Sequence, residues 1–87
     1  MFEEFLGKVV VADLRSPFVC LGTLQRLDEN YLELSNADFH DLRDTDSTRE
    51  FYVASSQLTG LKRNRKRVVL LRSEVVALSL LEDVVDE

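Results

Sequence analysis

A chain of 87 residues with 45% hydrophobic and 31% charged side chains has the make-up of one small soluble globular domain with a single modest core. Its net charge of −5 argues against a general nucleic-acid coat, and no apolar run approaches the length that spans a bilayer. Cys20 is the only cysteine, which excludes an internal disulfide and a thiolate metal cluster within one chain.

The chain opens on Met1-Phe2-Glu3-Glu4, acidic where a secretion signal is basic, so a reducing cytoplasm is the expected location. Residues 1–6 read as a short helix with Phe2, Phe5 and Leu6 on one face, ended by Gly7. Residues 8–14 alternate as a first strand, with Val10, Ala12 and Leu14 on one face and Val9, Val11 and Asp13 on the other. Ser16-Pro17 breaks it. Residues 18–27 form a second strand, where Phe18, Cys20, Gly22 and Leu24 share a face. Gly22 inside that strand predicts a sharp bend or a close approach of backbone.

Asp28-Glu29-Asn30 is a turn, and a third strand follows from Tyr31 to about Ala37 with Leu32 and Leu34 inward. The polar stretch from Phe39 to Asp46 is ambiguous, and the third strand can extend into it. Ser47-Thr48-Arg49-Glu50 matches a capping box, with Ser47 as cap and Glu50 reaching back. Phe51, Ala54, Ser55 and Leu58 follow at helical spacing and Gly60 stops the helix, which is predicted over 48–59. Residues 66–72 and 75–81 are the fourth and fifth strands. The turn between them is short enough to predict that they pair antiparallel. The fold class is therefore mostly β. It is a strongly bent five-stranded antiparallel sheet, a small barrel, with a short N-terminal helix and a helix inserted between strands three and four.

The charge is unevenly placed. Five of the eleven basic residues, Lys62, Arg63, Arg65, Lys66 and Arg67, fall within six positions, while eight of the sixteen acids lie between Asp28 and Glu50. The basic run can hold phosphates. It can equally be a solvated connector paired with the acidic 38–50 segment, and no aromatic residue interrupts it. Asp38, His40, Asp41, Asp44 and Asp46 include metal-ligand types, but with a single histidine they read as a solvated polar segment. There is no Ser–His–Asp arrangement, glycine-rich phosphate loop or metal-hydrolase pattern. The expectation is no enzyme, no catalytic residue, no metal and no cofactor.

Two stretches resemble the Sm-like (LSm/Hfq-type) superfamily. The first, within residues 8–38, runs Val10-x-Ala12-x-Leu14, then Gly22-x-Leu24, Asp28, and Leu34-Ser35-Asn36-Ala37-Asp38. Gly22 lies eight positions after Leu14 and Asp28 six after Gly22, as in the family's first motif. The second, Val68-Val69-Leu70-Leu71-Arg72-Ser73-Glu74-Val75-Val76-Ala77-Leu78, within 66–81, is similar to the family's strand, Arg-Gly pair and strand. The sequence also departs from the family. Leu32 stands at the family's asparagine, Pro17 and Ser73 stand at glycine positions, and the Tyr-Lys-His of the Hfq type is absent. The short turn after the second strand is similar to the bacterial type, so the chain reads as a divergent bacterial-type member.

The resemblance implies one Sm-like domain over 1–87. It also implies a cyclic homo-oligomer in which 66–72 of one subunit pairs with 75–81 of the next, removing both open edges. A strand apolar on both faces, as Val75 to Leu81 is, suits burial between subunits. The resemblance further implies single-stranded RNA held between the second-to-third and fourth-to-fifth strand turns. Those turns offer Asn30, Tyr31 and Arg72 beside Asp28, with Lys62, Arg63, Arg65, Lys66 and Arg67 as further candidates. Without a ligand role, Asp28 would cap its turn, Tyr31 would pack and Arg72 would pair with an acid. The alternative function is an oligomeric scaffold or protein-interaction module that binds no nucleic acid.

Overall fold

The computed structural model describes residues 1–44 and 48–85. Five strands, β1 (Val9–Leu14), β2 (Phe18–Leu27), β3 (Tyr31–Asp41), β4 (Arg65–Leu71) and β5 (Val75–Leu80), form one antiparallel sheet. One helix, α1 (Arg49–Thr59), is inserted between β3 and β4. The N-terminal element is tighter than expected, a single 3-10 turn from Phe2 to Phe5.

The order in space is β4-β3-β2-β1-β5. The expected pairing of β4 with β5 does not occur. They lie at opposite ends of the sheet, yet the 3-10 turn Arg72–Glu74 joins them directly. The sheet can do this only by curling on itself, so the short connection turns a barrel corner instead of closing a hairpin. The Arg15 N–H donates to the Glu74 carbonyl at 2.8 Å and braces that corner. Among the described residues, β4 and β5 each keep one edge without a strand partner.

The curl originates where β2 crosses β3. Leu21 pairs with Asp38 and Thr23 with Ser35, so Asn36 and Ala37 together face the single residue Gly22. Asn36 takes the extra residue of this bulge in the left-handed region (φ 49°), which asparagine tolerates. A Cβ on Gly22 would lie 3.0 Å from the Ala37 Cβ and 3.1 Å from the Ser35 carbonyl oxygen. The close approach expected at Gly22 is thus present.

Alternation along the strands sorts the apolar residues into two cores. Val10, Ala12, Leu14, Cys20, Leu24, Leu32, Leu34, Ala37 and Leu70 fill the inside of the barrel. Val11, Val19 and Leu21 point to the other face, where Val53 of α1 covers them. β1 is therefore buried on both faces. Burial pushes the Cys20 thiol up to about 12, with Asp38 adding to the shift and Arg65 opposing it.

Local chemistry fixes α1. The Thr48 hydroxyl accepts from the Phe51 N–H at 3.2 Å, so Thr48, not Ser47, is the cap. Ser47 lies outside the described residues, and the expected capping box does not form around Thr48, because the third helical position is then Phe51, which has no side-chain acceptor. Gly60 (φ 91°) ends the helix. Arg49 reaches Asp13 at 3.2 Å, and Gln57 donates to the carbonyls of Leu81 and Val84 at 2.9 Å each, tying the helix to β1 and to the segment after β5.

Candidate nucleic-acid interface

The turn between β2 and β3 is built by Asp28. Its Oδ1 accepts from the N–H groups of Asn30 and Tyr31, both at 2.8 Å. Those two bonds hold its carboxyl below the usual carboxylate range. The barrel corner after β4 then meets this turn. The Arg72 N–H donates to the Asn30 carbonyl at 2.8 Å, and its guanidinium Nη1 donates to the Asp28 carbonyl at 2.6 Å. Phe2 completes the arrangement from the N-terminal 3-10 turn, its ring centroid 4.5 Å from the Arg72 guanidinium carbon.

Three of the sequence candidates, Asn30, Tyr31 and Arg72, thus meet at one corner. Arg72 pairs with a main-chain carbonyl and an aromatic face, not with an acid. Tyr31 does not pack away, since 47% of its surface is exposed. Asp28 does cap its turn.

Tyr31 points to the outside of the barrel, because Leu32 and Leu34 occupy the inside. There it lines a shallow groove of about 390 Å3 with Arg26, Glu33, Arg67 and Val69. Glu33 accepts from Arg26 and Arg67, each at 2.9 Å, and these guanidiniums, Arg67 first, hold its carboxyl below the usual range. Two arginines fixed on one carboxylate leave a net positive strip beside an exposed aromatic ring. Glu33 and Phe2 were not singled out from the sequence. The i, i+2 position of Glu33 relative to Tyr31 was the available signal for the first, and nothing local signals the second.

The basic run is divided. Arg65, Lys66 and Arg67 begin β4, whereas Lys62 and Arg63 stay in the connector. Arg65 donates to the Asn64 carbonyl at 3.1 Å. Among the described residues, no ion pair links this run to the acidic 38–50 segment. Its one ion pair is Arg67 with Glu33, because β4 lies beside β3. Asn64, inside the run, clips the connector down. Its N–H donates to the Ala37 carbonyl at 2.9 Å, and its side chain exchanges bonds of 2.9 and 3.0 Å with the Phe39 backbone.

The segment read as solvated is partly interior. β3 continues to Asp41 and carries Asp38 to 2% exposure. The Asp38 carboxylate accepts from the Tyr52 hydroxyl and from Asn64 Nδ2 at 3.4 Å. His40 stacks on Tyr52 with centroids 3.9 Å apart and 8° between planes. Asp41 pairs with Arg43 at 2.8 Å. Asp46 lies outside the described residues, and among those described no group of three His, Cys, Asp or Glu is placed to hold a metal ion.

A bent five-stranded sheet with this strand order, a short N-terminal turn at the β2–β3 corner and an insertion between β3 and β4 is the Sm-like fold. The chain is similar over 91% of its length to an Sm protein of Pyrococcus abyssii solved in complex with a uridine heptamer. The TM-score is 0.62 at 20% identity, and 90% of that protein is covered. No family model and no curated protein matches the sequence.

Proposed function

We propose that this chain is an Sm-like RNA-binding subunit that assembles into a ring and holds single-stranded RNA at the corner formed by Asn30, Tyr31 and Arg72. The observation that carries the reading is the meeting of the two turns. Arg72 is fixed by the Asp28 carbonyl and the Phe2 ring, and Tyr31, paired with Leu71 just before it, stays exposed. A positioned guanidinium and an open aromatic face at one corner suit an unpaired base and its phosphate. The likeness to an Sm protein holding a uridine heptamer supports the same reading. Arg67, with Lys66, Arg65, Arg63 and Lys62 on the β4 side, would follow the backbone and make binding salt-dependent.

Assembly is read from the edges. Among the described residues, β4 and β5 lack strand partners on their outer sides, and Val69, Leu71 and Val76 on these two strands are exposed at 43%, 54% and 63%. Pairing β4 of one copy with β5 of the next removes both edges and repeats around a ring. The reading is of a binding module and not an enzyme, working in a reducing compartment such as the cytoplasm that leaves Cys20 a free thiol.

The test is native mass by light scattering, together with binding of labelled oligo(U) and oligo(A) over a salt series. A cyclic oligomer whose affinity falls steeply with salt is expected. An oligomer that retains neither RNA at low salt would favour the scaffold alternative.

A further inference from the structure

A second aromatic site lies away from the turns. Where α1 folds back over β3, a cleft of about 380 Å3 opens between the helix and the connector to β4, within the size range of small-ligand pockets. Its lining includes His40, Phe51, Tyr52, Ser55, Lys62 and Asn64. The basic run has no aromatic residue within it in sequence, but the fold supplies aromatic groups from α1 and β3.

The cleft is built, not incidental. The Tyr52 hydroxyl is anchored on the buried Asp38 carboxylate, and the Tyr52 ring carries the parallel His40 ring. Asn64 is held by three side-chain contacts to Asp38 and Phe39. Phe51 sits at the mouth with 63% of its surface exposed, unlike Val53 and Ala54 on the packed side of the same helix. His40 Nε2 is buried with no hydrogen-bond partner among the described residues, an uncommon state for a polar atom. Lys62 supplies a cation at the rim.

We propose that this cleft takes an unstacked nucleobase against Phe51, with the attached phosphate on Lys62. An exposed aromatic face and a neighbouring cation over a polar floor are what base-plus-phosphate binding requires. The inference rests on RNA as ligand, as proposed above, but on different residues. The same chemistry has two sources, a nucleotide within single-stranded RNA or a free mononucleotide.

The test is an amide-shift titration of the isotope-labelled protein with UMP, AMP, ribose 5-phosphate, oligo(U) and oligo(A). Shifts of Phe51, Ser55, Lys62 and Asn64 with oligonucleotide are expected, and with ribose 5-phosphate, which lacks the base, no shift of Phe51 or Ser55. Shifts with oligonucleotide alone assign the site to RNA, and shifts with mononucleotide alone assign it to a free nucleotide. Phe51→Ala should weaken binding by about 5-fold or more while Phe51→Tyr retains it. Lys62→Glu should weaken it further and flatten the salt dependence. Both side chains are exposed, so unchanged thermal unfolding checks the fold.

No shift at these residues with any nucleotide, or equal shifts with ribose 5-phosphate, overturns the proposal. RNA binding lost in Arg72→Ala but untouched in Phe51→Ala overturns the cleft and spares the corner. The reverse pattern overturns the corner and spares the cleft.

Discussion

Arg72 donates from its guanidinium to the main-chain carbonyl of Asp28 at 2.6 Å, so a side chain at one end of the sheet fixes the turn between two other strands. Phe2 lies against the same guanidinium. Arg72→Lys keeps the charge but loses the planar fork that serves both contacts. It should cost about 0.5–1.5 kcal/mol in urea unfolding, the usual value of one such hydrogen bond, and should lower oligo(U) affinity. Phe2→Ala should also lower RNA affinity, through the position of Arg72 alone. If affinity is unchanged in Phe2→Ala, the aromatic ring does not set the guanidinium for binding.

The exposed apolar residues on the free edges give a test of assembly. Val76 of β5 is 63% exposed, so Val76→Glu should change monomer stability by no more than about 0.5 kcal/mol. If β5 pairs with a neighbour, the same carboxylate is driven into an apolar contact. The expected outcome is a drop in light-scattering mass to that of one subunit, and an unaltered oligomer would remove this edge from the interface.

The strands, their faces and the bend were legible in the chain because period-two alternation and a glycine are local signals. Val10, Ala12 and Leu14 face the barrel interior and Val11 the other face, as their spacing predicts. Gly22 marks the close approach and Asp28 the turn. Other features depended on distant partners. Asp38 reads as a surface acid until Tyr52, from a helix later in the chain, supplies its donor. The short link between β4 and β5 reads as a hairpin until the curl of the whole sheet shows it to be a corner. Thr48 and Ser47 are adjacent hydroxyl residues, and sequence alone does not choose between them as the cap. Of the candidate site, the corner of Asn30, Tyr31 and Arg72 was visible from motif positions. The link between the basic run and aromatic groups was not, since it exists only after α1 docks.

Gly22 should not accept a side chain. With the Ala37 Cβ 3.0 Å from the position a new Cβ would take, Gly22→Ala should destabilise by about 1–3 kcal/mol in urea unfolding. Ala37→Gly in the same chain should recover part of that loss, but not all, because the Ser35 carbonyl oxygen remains 3.1 Å away. Additive losses in the double variant would show that the contact is not the cause.

Tyr52 links stability to alkaline pH. Burial first, then the bond to Asp38, raise the phenol above its ordinary value of about 10. The folded chain therefore holds this proton to higher pH than the unfolded chain does. Its contribution is complete below about pH 10 and falls above it. Tyr52→Phe removes the donor and leaves a buried carboxylate with Asn64 at 3.4 Å, a loss of about 1–3 kcal/mol near neutral pH. Unfolding free energies measured from about pH 8 to about pH 11 should fall less steeply in the variant. Equal slopes would place the alkaline sensitivity elsewhere.

The pairing of β1 with β5 has a temporal side. Val10 faces Leu80 and Ala12 faces Leu78, so a strand made early by the ribosome finds its neighbour only about 70 residues later. Until that neighbour emerges, one side of β1 is unzipped, and Gln57 of α1 lacks the carbonyls of Leu81 and Val84. A nascent chain halted before residue 75 holds β1, β2, β3 and β4 but cannot close the barrel. β5 is thus the strand that locks β1, and the barrel closes only once β5 has left the exit tunnel.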